Sequence, residues 1–285
     1  MVDRIMVPVD GSELSERAIP LAELLARTNN AEICLVRAFE PLNIPPYEPS
    51  ALISPETTDE LRRQVREHAR AALDRLKSQV EQHGVRVKAE LLQLADGSPA
   101  STLLDYEQTS GVDIVAMATH GRTGLARFAL GSVADRILRE GSKPVLLIRP
   151  LTEQPKEMGV ALLPLDGSEV GERAIKMAEA LAGRPLRSVR LLQAIEKFQE
   201  RSAAMDYLQS VADRLAAAGL ETTVYVSVGE GPVEAIRTHV ADADIVVMAT
   251  HGRGGIDRMR HGSVAEAAAR ELQHPVLLVR ATSAS

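Results

Sequence analysis

The sequence predicts an α/β protein built from two tandem doubly wound five-stranded parallel sheets, each of strand order 3-2-1-4-5, related by internal pseudo-twofold symmetry. Three observations predict it. The phrase MATHGR is written twice, at Met117–Arg122 and at Met248–Arg253. The span Val112–Arg149 aligns without gaps on Ala243–Arg280 at an offset of 131, and 22 of those 38 positions are identical. Along both halves, short continuous apolar runs alternate with helical periodicity, the pattern of strands buried on both faces by crossover helices.

The elements follow in order. Strand one is Ile5–Val9, ending in PVDGSE, and Val160–Leu165, ending in PLDGSE. A helix follows each; in the second half Val170, Ala174, Met177, Ala178 and Leu181 share one of its faces. Strand two is Ile33–Ala38 and Val189–Ala194. A long helix comes next, with Leu61, Val65, Ala69, Ala72, Leu73, Leu76 and Val80 as its expected buried face, and Leu208, Val211, Ala212 and Leu215 in the second copy. Gly84 and Gly219 stand where a helix C-cap wants glycine.

Strand three is expected at Val85–Leu92 and Thr222–Val228, and the short helices after it begin near Pro99 and Pro232, good first-turn residues. Strand four is Ile114–Ala118 and Ile245–Ala249, followed by the MATHGR loops. The last helix starts at Gly131-Ser132 and Gly262-Ser263, and strand five is Pro144–Ile148 and Pro275–Val279. The halves differ mainly before the long helix, where the first carries the proline-rich insert PLNIPPYEPSALISPETTDE. Domain limits of 1–150 and 151–285 follow, with Leu151–Met158 as a polar linker. Strand five is an apolar edge in each half, so pairing the two edges within the chain would cover both and make a pseudo-dimer. Further homodimerisation is compatible with the sequence and not specified by it.

Composition narrows the function classes. The hydrophobic fraction is 45% and aromatics only 2%, so the core is aliphatic. A net charge of −6 argues against a general nucleic-acid binder. The single cysteine, Cys34, lies in an apolar run, so an intrachain disulfide is excluded and a reducing, cytoplasmic setting is expected. The chain opens on a strand-like run without a signal peptide, and no apolar stretch approaches a membrane span.

In a sheet of this order the chain turns opposite ways after strands one and four, which opens a crevice between their carboxyl ends. Both repeated motifs fall there. Pro8, Val9 and Asp10 leave strand one; Met117, Ala118, His120, Gly121, Arg122 and Arg127 leave strand four; Gly131, Ser132 and Val133 open the next helix. Their counterparts are Pro164, Leu165 and Asp166; Met248, Ala249, His251, Gly252, Arg253 and Arg258; and Gly262, Ser263 and Val264. Glycines let backbone approach phosphate, and a helix start offers free N–H groups and a positive dipole end. The arginines add cations, and each Asp can accept from ribose hydroxyls or approach a phosphate-bound Mg²⁺. The same Asp-Gly-Ser-Glu is also ordinary turn chemistry, with Ser12 as N-cap and Glu13 favoured by the helix dipole. His120 and His251 recur without a Ser, Cys or carboxylate that recurs as a triad partner.

These residues resemble the universal stress protein family in its tandem-domain form, over almost the whole chain. Nucleotide-binding members carry G-x-x-G, nine residues, then G-[S/T]. Here the copies read Ala118-Thr119-His120-Gly121 followed after nine residues by Gly131-Ser132, and Ala249-Thr250-His251-Gly252 followed after nine by Gly262-Ser263. The resemblance implies an ATP-binding stress or signalling protein, with adenine near the ends of strands one and two, at Val9 and Ala38 or Leu165 and Ala194. The family's first loop glycine is Ala in both halves, which implies weaker binding if that position needs φ > 0 or close approach. Phe128-Ala129-Leu130 becomes Met259-Arg260-His261, so the second site is the more basic and is expected to favour triphosphate.

Two other readings compete. An adenine-nucleotide hydrolysing or adenylating enzyme of related fold would carry an SGGxDS-type loop after strand one, where this chain has PVDGS. No P-loop and no strand-one GxGxxG are present. A non-nucleotide dimerisation scaffold would keep the architecture and lose the ligand; Ala118 and Ala249 are its best support.

Overall fold

The computed structural model describes residues 2–40, 55–94, 97–119, 130–149, 155–251 and 262–281. The first half runs β1 (Arg4–Pro8), α1 (Glu13–Glu16), α2 (Ile19–Asn29), β2 (Glu32–Phe39), α3 (Pro55–Gln82), β3 (Arg86–Gln93), α4 (Pro99–Thr109), β4 (Ile114–Ala118), α5 (Ser132–Glu140) and β5 (Val145–Ile148). The second runs β6 (Val160–Pro164), α6 (Gly171–Ala180), β7 (Ser188–Ile195), a 3₁₀ turn at Phe198–Glu200, α7 (Arg201–Ala217), β8 (Glu221–Val228), α8 (Pro232–His239), β9 (Ile245–His251), α9 (Gly262–Glu271) and β10 (Val276–Ala281).

The strand order is β3-β2-β1-β4-β5-β10-β9-β6-β7-β8. Each half therefore has the 3-2-1-4-5 order, parallel throughout. The two sheets expected from sequence are one continuous ten-stranded sheet. They fuse because β5 and β10 pair antiparallel, with Leu147 opposite Val276, Leu146 opposite Leu277 and Val145 opposite Leu278. At the repeat offset of 131, Leu277 is the counterpart of Leu146. A residue facing its own counterpart across an antiparallel pair places a local twofold between them.

Side-chain alternation along the strands feeds two apolar layers. Ile5, Val7, Ile33, Leu35, Ala116 and Leu146 point to the layer under α2 and α3, which continues through Ala161, Leu163, Leu191 and Leu277 into the second half. Met6, Cys34, Val36, Val115, Met117 and Leu147 face α4 and α5, in a layer that continues through Leu162, Val246 and Leu278. Fully buried residues such as Ile5 and Leu35 each stabilise the fold by about 1.5–3 kcal/mol through removal from water.

The long helix departs from expectation. Ala69, Leu73 and Val80 are buried, but Leu61 and Val65 are 39% and 38% exposed. α3 has 28 residues against 17 in α7, and Leu61, Gln64, Val65 and His68 from its N-terminal part line the first cleft. Gly84 and Gly219 take φ of +77° and +88°, the left-handed conformation a C-terminal cap uses.

Candidate functional site

Each strand-one turn is built by its own side chains. Asp10 Oδ1 accepts from Ser12 N at 2.9 Å and Ser12 Oγ at 2.6 Å, and Ser12 Oγ accepts from Ser15 N at 3.2 Å as N-cap of α1. The second copy repeats this: Asp166 Oδ1 accepts from Ser168 N at 3.0 Å and Ser168 Oγ at 2.6 Å, and Ser168 Oγ accepts from Gly171 N. Gly11 sits at φ +86°, and a Cβ there would lie 3.0 Å from Arg37 Nη1. The turn therefore favours glycine for its conformation, and a larger residue would also have to displace the Arg37 guanidinium. In the second half the residue under the turn is neutral Gln193, whose amide nitrogen lies 4.0 Å from the Cβ that Gly167 lacks.

The start of α5 faces the same crevice. Gly131 is its N-cap in extended conformation and has no side chain to cap the first turn. The first amides of the helix are therefore left for another acceptor. Gly131 N donates to Thr119 O at 2.7 Å, and Thr119 N to Ile148 O at 2.9 Å, which anchors the helix start to the end of β4.

These elements enclose a cleft of about 820 Å³ in the first half. It collects Pro8, Val9, Asp10, Ala38, Met117, Ala118, Gly131, Ser132 and Val133 from the sequence-expected set. The corresponding cleft in the second half is about 320 Å³ and collects Pro164, Leu165, Asp166, Ala194, Met248, Ala249 and Val264. Gly262 and Ser263 are the first two residues of α9. His251 ends β9 rather than standing in a loop, paired with Ala281. His120, Gly121, Arg122, Arg127, Gly252, Arg253, Arg258 and Arg260 lie outside the described residues.

Ala118 and Ala249 are strand residues, and the non-glycine residue with positive φ among those described is Asn30. Neither position therefore needs glycine for its conformation, since both have backbone that alanine adopts freely.

Sequence reasoning missed part of the first cleft. Arg37 and Phe39 line it from the end of β2, and Leu61, Gln64, Val65 and His68 line it from α3. These four stand at i, i+3, i+4 and i+7, so the spacing was visible; read as core, it is a cleft wall. In the second cleft Val170, Glu196, Pro232 and Ile236 are the additions.

Electrostatics differ around the two turns. A small side pocket of about 160 Å³ beside the first turn holds Glu16, Arg37 and Arg75. Burial pushes the Glu16 carboxyl up, with Glu13 adding, while Arg75 and Arg37 pull the other way. Near the second turn, burial first and then the Glu172 and Asp166 carboxylates push the Tyr207 phenol up to about 12, so it stays neutral. Among the described residues no group of three or more His, Cys, Asp or Glu is placed to hold a metal ion. Among them, too, no helix is long and apolar enough to cross a membrane.

Fold and crevice together define a doubly wound α/β protein with two clefts at equivalent topological switch points. Comparison with known proteins gives the family. Residues 1–149 and again 158–280 match the Universal stress protein family. A universal stress protein of Mycolicibacterium smegmatis is 27% identical over 305 residues, covering 97% of this chain and 96% of the relative. One from Methanocaldococcus jannaschii is 30% identical over 146 residues, 51% of this chain and 81% of the relative. The crystal structure of a universal stress protein from Archaeoglobus fulgidus superposes with a TM-score of 0.70 at 18% identity, covering 97% of this chain and 98% of that one, a likeness of fold. The chain belongs to the universal stress protein family, in tandem two-repeat form.

Proposed function

We propose that this protein is an ATP-binding stress-response regulator with one adenine-nucleotide site in each repeat, 1–150 and 151–285. It acts through nucleotide-dependent conformation rather than dedicated catalysis. One observation carries the reading: residues from two sequence-distant motifs, duplicated together, meet at both switch-point clefts. In this reading the adenine lies against Val9 and Ala38, or Leu165 and Ala194. Asp10 and Asp166 face the ribose, and the starts of α5 and α9 receive phosphate. The loop residues His120, Gly121, Arg122 and Arg127, with His251, Gly252, Arg253 and Arg258, are assigned to the phosphates on sequence grounds. Two carboxylates line each cleft, Asp10 and Glu40 in the first and Asp166 and Glu196 in the second; so few suit Mg²⁺ shared with phosphates rather than an all-protein cage.

Titration calorimetry with ATP and Mg²⁺ tests this. Two nucleotides should bind per chain. Ser132→Glu and Ser263→Glu place a carboxylate at a helix start, where it favours the helix and repels phosphate. Each should lose one site without lowering the melting temperature, and the double variant should lose both. A folded wild-type protein that takes up no adenine nucleotide at millimolar concentration sinks the proposal. The scaffold reading then takes over, in which Asp10 and Asp166 serve only the turns they build.

A further inference from the structure

We infer that Arg280, from the second repeat, couples the two clefts by holding the far end of α5, the helix whose start opens on the first cleft. The inference rests on the nucleotide reading above and adds regulation to it. Arg280 is 8% exposed. Its Nη1 donates to Gly141 O and its Nη2 to Arg139 O at 2.7 Å, the carbonyls that α5 leaves at its C-terminus. A buried guanidinium so placed satisfies orphan carbonyls and opposes the negative end of the helix dipole. At the other end of the same nine-residue helix, Ser132 and Val133 line the first cleft. A phosphate at the start and Arg280 at the end therefore favour the same seated state of α5.

Arg280 is in turn tied to the second cleft. It pairs with Thr250 across β10 and β9, and Thr250 follows Ala249, which lines that cleft. Its carbonyl also accepts from Arg173 Nη1 at 3.5 Å, and Arg173 stands two residues after Gly171, another lining residue. Filling the second cleft fixes β9 and the start of α6, thereby Arg280, and thereby α5. Ligand in one cleft should raise affinity in the other, because both bias one element.

A double-mutant cycle on the full chain tests this by calorimetry with ATP and Mg²⁺. Removing the second site by Ser263→Glu should weaken binding at the first at least about fivefold in the wild-type background. In Arg280→Gln the same change should leave first-site affinity unaltered. A second measurement leaves Arg280 intact: in Ser132→Glu, ATP bound at the second cleft alone should slow amide hydrogen exchange across Val133–Glu140. Equal shifts in both backgrounds, no shift in the wild-type background, or unchanged exchange in α5 would each overturn the coupling. Two independent ATP sites sink only this inference, whereas no ATP binding at all sinks the functional reading first and the coupling with it.

Discussion

At the scale of single residues, backbone conformation decides more than side-chain identity. Ala118 and Ala249 replace the glycine that the family loop carries, yet both lie in strands. Restoring glycine relieves no strain there and adds chain entropy to the unfolded state. Ala118→Gly should therefore lower stability by about 0.5–1 kcal/mol in urea melts, with no gain in ATP affinity by calorimetry. A clear gain would mean the methyl group crowds the ligand. Gly11 and Gly141 behave oppositely. Gly141 has ordinary φ, but a Cβ there would lie 2.6 Å from Glu107 Oε2 and 2.7 Å from Ile137 O. Glu107 is wholly buried and its Oε1 accepts from Ser142 N, Ser142 Oγ and Lys143 N at 2.6, 3.0 and 3.0 Å. The carboxylate cannot retreat without losing those bonds, nor the Ile137 carbonyl without losing the one it accepts from Gly141 N at 2.9 Å. Gly141→Ala should cost about 2–3 kcal/mol, read as a lowered urea midpoint at unchanged slope.

At the scale of elements, the repeat made most boundaries legible. Strands one, two, four and five were readable because double-sided burial writes them as apolar runs, such as Ile33–Val36 and Val145–Ile148; the outer strand three is only partly buried and was placed by the alternation of elements. The switch-point cleft followed from strand order alone, and its turn residues Asp10 and Asp166 from position in that order. The wall of the first cleft was not legible, because apolar spacing along a helix does not say whether it meets core or a cavity. Leu61 and Val65 carry the same periodic signal as Leu73 and Val80 but are more than a third exposed and line the first cleft. The two classes separate on mutation. Leu73→Ala should destabilise by about 2–5 kcal/mol, whereas Leu61→Ala should leave the urea midpoint almost unmoved. Leu61→Asp should weaken ligand binding at the first cleft alone, since among the described residues no side chain of α7 lines the second.

At the scale of the molecule, the apolar layers cross the seam without a break, so the halves should unfold together. The loop before β10 adds a pH term. Burial holds the half-buried His274 imidazole below its ordinary value of 6.5, with Asp244 opposing more weakly. The folded state thus keeps His274 neutral where the unfolded chain takes up a proton. Stability from this group is present above the unfolded value and falls as pH drops below 6.5 toward the lowered folded value. Thermal melts from pH 7.5 to 5 should show that fall, and His274→Gln should flatten it. An unchanged slope in the variant would assign the pH dependence elsewhere. The fused sheet itself was only half legible: the apolar edges Val145–Ile148 and Val276–Val279 predicted pairing, but not the register that sets Leu146 opposite Leu277.

That register has one more consequence. In a chain of a single repeat, such an edge would be covered only when two molecules meet, and both would have to present the same sequence. Here a covalent tether brings the partners together at any dilution, so each copy is released from having to match itself. The freedom has been used: one copy has grown a helix of 28 residues over its cleft where the other keeps 17. Duplication has turned a symmetric association into a framework in which two unlike clefts share one floor.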